Sequence, residues 1–448
     1  MRRSRSLTFI LLGSALAAGC RNRPAPGERP TIDAGTAVPA AAATAEAQSL
    51  CLADPGGAAG LDQEIRSGQE RAGRRPARSD EWVGVGRQWV RKARQASDPG
   101  FYLNVEGCAA VALELEPGFV PALELRGLVL MNDHRFDDAR RLAEEILSGD
   151  AENVVALGTL SDALLELGRY QEAARAAQRQ MSARPGMAAS ARGAYIRWLE
   201  GDTRNAKLFI RDALVGRDAR DPEPAAWTFV EAATIFWHQA DYGGADAVYA
   251  EALKWVPDYP SALVGRARVA MARDQARAAL AFLERALRIR PLAETAWLLG
   301  DAREMLGDTE GAREAYDRLV RQARGGDSLT LALFYATKNR DIGEALRLVE
   351  KERATRGGIY VDDAYAWALY RAGRVAEARE ASDRAIRLGT LDARLLYHAG
   401  AIRLAAGDQT GGRALVRRAL SLNPRFDWTG AAEARRLLGG TPKRMASS

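Results

Sequence analysis

The sequence predicts an all-α protein in which about ten similar helix–turn–helix units follow one another. Two observations carry this prediction. Glycines followed by polar residues mark the turns within units, as helix C-caps do, for example at Gly168, Gly201, Gly307 and Gly407. Alanines also recur at steps of 34, 33, 39, 34, 33, 33 and 33 residues, in the series Ala139, Ala173, Ala206, Ala245, Ala279, Ala312, Ala345 and Ala378. A period of this length indicates stacked repeats.

The first residues predict export. An arginine-rich start precedes the apolar segment 7–18, which has the length of a signal peptide and is too short for a stable membrane anchor. The segment ends in Leu-Ala-Ala-Gly-Cys at Cys20, which resembles the lipobox of bacterial lipoproteins. The resemblance implies that residues 1–19 are removed and that Cys20 carries a lipid. Arg21 then favours the outer membrane, facing the periplasm; the alternative is a secreted or periplasmic protein.

The segment after Cys20 predicts a flexible tether. Residues 20–60 are rich in alanine, proline and threonine and contain few large apolar residues, so they have little surface to bury. Residues 61–85 are predicted to form an N-terminal capping region, residues 86–426 the repeat array, and residues 427–448 a capping helix and tail. Terminal caps are expected because an end unit otherwise exposes its apolar face.

The unit resembles the tetratricopeptide repeat (TPR). That motif has a small residue at position 8, alanines at 20 and 27, an apolar residue at 24 and proline at 32. Two successive units carry the whole pattern: Ala233, Ala245, Tyr249, Ala252 and Pro257, then Ala267, Ala279, Leu283, Ala286 and Pro291. The resemblance implies a right-handed α-solenoid that binds a partner, without enzymatic activity and without a cofactor.

In such arrays the first helix of each unit lines the concave face, and its positions 2, 5, 9 and 12 share one side. These positions hold much of the chain's aromatic content, namely Tyr195, Trp198, Trp227, Trp237, Trp297, Phe334, Tyr360, Trp367 and Tyr370. Two interpretations remain open. The rings either pack between neighbouring helices as core or form an exposed groove for a peptide or a sugar chain.

The charge and the potential ligand residues exclude several functions. The net charge of +6 arises from 64 basic and 58 acidic residues that are interleaved, so no nucleic-acid footprint is indicated. The histidines His134, His238 and His398 lie in different units without metal-ligand spacing, and we expect them on the surface or in the groove. Cys108 is expected to be a buried free thiol, with a bridge to Cys51 as the alternative that an oxidising compartment would permit.

One motif suggests catalysis. Residues 326–330 read Gly-Asp-Ser-Leu-Thr, which matches the start of the GDSL esterase motif, where the serine is the nucleophile. The context does not fit, because the segment follows a predicted helix. We instead expect Asp327 or Ser328 to cap the next helix.

The sequence therefore predicts a non-enzymatic, lipid-anchored scaffold that binds an envelope protein or peptide and helps assemble or regulate an envelope complex. Pilus or secretin assembly, outer-membrane assembly and peptidoglycan synthesis all use lipoproteins of similar build. The alternative is an accessory protein of polysaccharide export that binds glycans, and a GDSL-type esterase is a distant third.

Overall fold

The computed structural model describes residues 40–57, 60–324 and 326–439. The predicted signal peptide and Cys20 lie outside the described residues. The chain divides into two compact units; among the described residues, unit 1 comprises 40–189 and unit 2 comprises 190–439. Among these same residues, no helix is both long and apolar enough to cross a membrane.

Unit 1 consists of eight α-helices among its described residues, with a short 3-10 turn before the fourth. They are α1 (Ala40–Cys51), α2 (Leu61–Arg74), α3 (Ser79–Gln95), α4 (Tyr102–Leu115), α5 (Val120–Asn132), α6 (Phe136–Gly149), α7 (Val154–Glu166) and α8 (Tyr170–Ala183).

Unit 2 begins within α9. Its helices are α9 (Met187–Leu199), α10 (Thr203–Val215), α11 (Glu223–His238), α12 (Tyr242–Trp255), α13 (Pro260–Ala272), α14 (Ala276–Ile289), α15 (Ala293–Met305), α16 (Thr309–Ala323), α17 (Ser328–Thr337), α18 (Ile342–Arg353), α19 (Ile359–Arg371), α20 (Val375–Ala385), α21 (Ala393–Ala405), α22 (Gln409–Leu422) and α23 (Trp428–Leu437).

The predicted all-α array is confirmed, since within the described residues α3 to α22 form ten consecutive helix–turn–helix pairs. The first pair begins at Ser79, earlier than the predicted start at residue 86. The reason is packing: Trp82, Val83 and Val85 are buried, so α3 extends over residues that the register assigned to the cap. At the other end α23 covers the last pair with buried Ala431 and Ala434.

The turns within pairs follow the predicted chemistry. Gly201, Gly307 and Gly407 have φ of 77°, 76° and 88°, a conformation that glycine adopts without strain. The aspartate after each glycine caps the second helix; Asp308, for example, accepts a hydrogen bond from the Gly311 nitrogen at 2.9 Å. Such a cap satisfies a backbone N–H that the helix leaves unpaired.

Glycines within first helices make room for tyrosine rings. A Cβ atom added at Gly265 would lie 2.2 Å from Cζ of Tyr249, and one added at Gly300 would lie 2.2 Å from Cε1 of Tyr316. Each ring therefore packs directly against helix backbone, where no larger residue fits. The two tyrosines occupy the same position in pairs that are two repeats apart.

The end of the predicted tether is ordered, which corrects the boundary at residue 60. Helix α1 packs against α4, and Gly107 of α4 allows the close approach, because an added Cβ would lie 2.7 Å from the Ala47 carbonyl oxygen. Side chains of the body also bind the last carbonyls of α1: Asn104 donates to Leu50 O at 2.8 Å and Trp89 donates to Cys51 O at 3.0 Å.

Cys51 and Cys108 form a disulfide with a Cα–Cα distance of 4.7 Å. The prediction of a free thiol at Cys108 was therefore wrong, and the alternative bridge is present. The physical reason is the docking of α1, which brings Cys51 onto α4 beside Cys108. Both residues are fully buried.

Candidate partner-binding face

The first helices of unit 2 turn one side toward each other. The rings of Trp198 in α9 and Tyr360 in α19 are 6.5 Å apart, and Lys338 after α17 lies 3.4 Å from the Thr429 hydroxyl in α23. We call this surface the inner face of unit 2. We define it, from the repeat register and from such contacts, as the nine aromatic residues that the sequence predicts for it and the neighbouring charged or titratable residues Glu231, His238, Arg268, Glu294, Asp301, Glu304, Lys338, Asp363, Arg371, Asp392, Arg394, Asp427 and Glu433.

The nine aromatic residues divide into two groups. Four are buried: the exposed fractions are 4%, 7%, 0% and 1% for Trp198, Trp237, Phe334 and Trp367. Five are half-buried: Tyr195, Trp227, Trp297, Tyr360 and Tyr370. The first group packs as core; the second keeps ring surface that a ligand can contact.

The buried rings lie in aromatic clusters. Trp367 stacks on His398 with ring centroids 3.9 Å apart. Phe334 lies between Trp297 and Tyr316, at 5.3 Å from each. Such contacts stabilise the array beyond simple area burial, so removing these rings is expected to damage the fold.

Hydrogen bonds join the two ends of unit 2. Asn423 donates to the Trp237 carbonyl at 2.8 Å and accepts from the Tyr242 hydroxyl at 2.7 Å. Arg425 forms two bonds with Asp274, at 2.9 and 2.8 Å. Thr390 donates to the carbonyl of Leu199. These bonds, which we call the seam, span more than 150 residues of sequence and hold pairs near the start of unit 2 against its last pairs.

A lysine is bound on the inner face. Lys338 Nζ lies 2.8 Å from Asp301 Oδ1, 3.0 Å from Glu304 Oε2 and 2.8 Å from the Tyr316 hydroxyl. Desolvation lowers the pKa of Lys338, but the two carboxylates raise it more, so the ammonium stays charged. Desolvation raises the pKa of Asp301 to about 6, against the opposing effect of Lys338.

His398 is buried, which corrects its predicted surface or groove position. Only 2% of it is exposed, and Nδ1 lies 2.9 Å from Asp363 Oδ1. The Trp367 ring packs on the face of the His398 imidazole, and the Asp363 carboxylate pairs with its Nδ1 atom. His238 is half-buried, with its ring 5.0 Å from that of Trp198. Within the described residues, no group of three or more potential ligands could hold a metal ion.

The GDSL segment forms a helix cap, as predicted. Asp327 accepts a hydrogen bond from the Thr330 nitrogen at 3.1 Å, and α17 begins at Ser328. An aspartate in that position stabilises the first turn of a helix. The motif therefore has a local structural explanation.

Carboxyl groups outnumber cations on the inner face. The acids are Glu231, Glu294, Asp301, Glu304, Asp363, Asp392, Asp427 and Glu433, and the permanent cations are Arg268, Lys338, Arg371 and Arg394. A phosphate backbone requires the opposite balance. The balance of charge among these residues is therefore acidic.

Sequence reasoning missed several of these residues. Arg394 occupies the same unit position as Trp227 and Tyr360, so the register could have identified it. Glu231 lies at position 6, outside the positions assigned to the concave face. Lys338 follows a short first helix, and only the folded structure brings it beside Asp301.

The fold and its inner face define a helical-repeat scaffold. Two family profiles described as tetratricopeptide repeat match the chain, one over residues 130–194 and the other over 270–327 and 364–427. These segments of the chain are tetratricopeptide repeats. Tetratricopeptide repeats generally bind protein or peptide partners and are generally non-catalytic scaffolds.

Several solved structures are similar to the chain. A human IFIT1 dimer with PPP-AAAA is 14% identical, with a TM-score of 0.47 over 85% of this chain and 94% of that one. Yeast Tom70 is 14% identical, with a TM-score of 0.35 over 84% and 96%. Pseudomonas aeruginosa pilF is 16% identical, with a TM-score of 0.30 over 62% and 94%. At these values none of them indicates what this chain binds. No curated protein sequence matches the chain.

Proposed function

We propose that the protein is an exported, lipid-anchored TPR adaptor whose inner face in unit 2 binds an extended segment of another cell-envelope protein. The observation that carries the proposal is the group of five half-buried aromatic rings on that face. Rings that are held in place but still accessible give binding area at low entropic cost. The adaptor would help assemble or regulate an envelope complex, such as a pilus, a secretin, the outer-membrane assembly machinery or a peptidoglycan synthase.

Export is supported by two independent features. The Cys51–Cys108 disulfide is of a kind that persists in oxidising compartments such as the periplasm. The lipobox-like sequence before Cys20 supports attachment to a membrane, and we propose the outer membrane, facing the periplasm. The test is Cys20→Ser in cells fed a labelled fatty acid. Label on the wild type alone supports the anchor, whereas equal labelling of both proteins contradicts it.

The binding proposal is tested by site-specific photocrosslinking. A photoreactive amino acid replaces Trp227, which is half-buried on the inner face. The control carries it at Phe229, a half-buried residue two positions along α11 and therefore on another side of the helix. We expect position 227 to crosslink to one defined segment of an envelope protein and position 229 not to do so.

Two outcomes contradict the proposal. Equal crosslinking from both positions would mean that the inner face is not the binding surface. Aromatic faces also accept sugar rings, so purified envelope polysaccharide is titrated against the wild type and Trp227→Ala. Polysaccharide binding that requires Trp227, without a protein crosslink, would favour the polysaccharide-export alternative.

A further inference from the structure

The positive charge of the chain is concentrated at its C-terminal end. Residues 409–448 contain eight basic and two acidic residues, whereas residues 1–408 contain 56 of each sign. The net charge of +6 therefore comes from α22, α23 and the residues that follow them. The interleaving of charge that characterises the rest of the chain stops at α22.

Helix α22 carries its charge on one exposed stripe. Arg413, Arg417 and Arg418 are exposed, whereas Val416 and Ala419 are buried on the other side of the helix. Among the described residues, none of the three arginine side chains has a hydrogen bond or an ion pair. Helix α22 is also the one second helix of the ten described pairs that contains no acidic residue.

Helix α16 shows the usual arrangement at the same positions. Both helices begin after a capping aspartate that accepts a hydrogen bond from the nitrogen three residues later, at 2.9 Å in α16 and 2.8 Å in α22, so their positions correspond. Glu314 of α16 therefore corresponds to Ala414 of α22. Asp317 corresponds to Arg417, so a guanidinium group replaces a carboxylate.

The positive charge continues beyond α22. Arg436, in the last turn of α23, is exposed and also has no partner among the described residues. Lys443 and Arg444 follow in the segment 440–448. Four exposed arginines without a partner and two further basic residues thus lie close together in the sequence.

The composition of the stripe favours a flat anionic surface over a protein partner. Its other exposed members, Thr410, Ala414 and Ser421, are small or polar, whereas protein interfaces depend mainly on large side chains that fill a pocket. Guanidinium groups match phosphate oxygens in a bidentate geometry. Clusters of about four to eight basic residues bind anionic lipid surfaces.

We propose that α22, together with Arg436 and the basic segment after it, binds the anionic phospholipid surface of the membrane to which the chain is attached. The inference rests on the proposed membrane attachment and adds a second contact at the other end of the sequence. A lipid chain and a basic cluster bind a membrane more firmly together than either does alone. The second contact would also fix the orientation of unit 2 relative to the membrane.

The test measures binding of the full-length chain to phospholipid vesicles. All proteins carry Cys20→Ser, so that no lipid contributes to binding. The vesicles contain either phosphatidylcholine alone or a mixture of phosphatidylcholine and anionic phosphatidylglycerol. We expect about tenfold tighter binding to the anionic vesicles at low salt, because each arginine at such a surface contributes about fivefold and not all of them reach it. High salt should abolish this preference.

Two variants of α22 assign the effect to the stripe. The first carries Arg413→Gln, Arg417→Gln and Arg418→Gln and should reduce the preference to about twofold, since the other basic residues remain. The second carries Ala414→Glu and Arg417→Asp, which gives α22 the acidic residues of α16, and it should have a similar effect. Melting temperatures of both variants verify that they are folded.

The control removes the same charge from α16, where acidic residues accompany the arginines. It carries Arg313→Gln, Arg318→Gln and Arg321→Gln and should keep the tenfold preference. Soluble polyglutamate is titrated in parallel as a model of an acidic protein.

Three outcomes would overturn the inference. They are equal binding to both kinds of vesicle when α22 is intact, equal loss in the α22 and α16 variants, and polyglutamate binding that depends on α22 without binding of anionic vesicles. The last would indicate an acidic protein partner. Because the assay uses neither the lipid nor the inner face, the fatty-acid labelling and the crosslinking decide the proposed function separately.

Discussion

The contacts that stabilise each unit internally differ in kind. In unit 1 a disulfide and side chains that bind the last carbonyls hold α1 on α4. In unit 2 hydrogen bonds and ion pairs connect pairs that are far apart in sequence. A covalent link holds irrespective of charge, whereas polar links respond to pH, salt and competing ligands. The packing of α1 on α4 is therefore less sensitive to charge than the distant contacts within unit 2.

The largest effect is expected from removing the internal lysine. Lys338→Met leaves Asp301 and Glu304 without their cation, and breaking a buried pair from one side costs about 3–5 kcal/mol. Urea unfolding measures the loss, and hydrogen exchange should accelerate in α15 and α17 without change in α1. Lys254→Met is the control, because Lys254 is exposed and paired with Glu251, a contact worth about 0–1 kcal/mol. Equal losses in both variants would refute the buried lysine site.

Removing the disulfide tests how much this covalent link stabilises the packing of α1 on α4. Cys51→Ser is expected to lower the free energy of unfolding by about 2–4 kcal/mol, because the bridge closes a loop over a sequence separation of 57 residues. Faster hydrogen exchange should be confined to α1 and α4. Equal acceleration of exchange in α21 and α22 would contradict a stabilising effect that is limited to unit 1.

The seam is tested at Asn423, which is 1% exposed. Asn423→Ala removes three side-chain hydrogen bonds, with the Trp237 carbonyl, the Tyr242 hydroxyl and the Arg425 nitrogen, at a cost of about 1–3 kcal/mol. Tyr242→Phe should cost less, because it leaves the bond to the Trp237 carbonyl in place. A larger loss for Tyr242→Phe than for Asn423→Ala would contradict the assigned geometry.

The smallest effect concerns pH. Burial raises the pKa of Glu231 from about 4.5 to about 8 in the folded chain, so the folded state holds this proton more tightly than the unfolded state. Stability is therefore undiminished below about pH 4.5 and falls as the pH rises toward about 8. The full shift would correspond to about 5 kcal/mol, but Glu231 is half-buried and solvent screening reduces its effect. Glu231→Gln should therefore raise the free energy of unfolding by about 1 kcal/mol at about pH 9 and leave it unchanged at about pH 4. A difference from wild type that is constant with pH would contradict the raised pKa.

The sequence was sufficient for the repeat and for much of its local chemistry. Alanine spacing, glycine turns and the cap at Asp327 depend on residues close together in the chain, and all appear in the structure. The ordered end of the tether was missed because α1 is held by Trp89, Asn104 and Cys108, which belong to later helices. A local composition rich in alanine gives no sign of such distant contacts.

The site could be predicted only in part, for the same physical reason. The register placed Trp227 and Trp367 on one surface, but their different exposure depends on neighbours from other pairs. His398 illustrates the limit: its burial requires Asp363 and Trp367, both in the preceding pair. The pairing of Lys338 with Asp301 likewise depends on contact across two first helices.

The seam has a kinetic consequence for a partner that binds the inner face. If the segment enters between the pairs that these bonds join, the bonds have to open first. Binding that waits for an opening step is slower than simple encounter, and the fraction of open molecules scales the apparent affinity. Once the bonds re-form, the same step limits escape. On that route, weakening Asn423 or Arg425 should speed both capture and release.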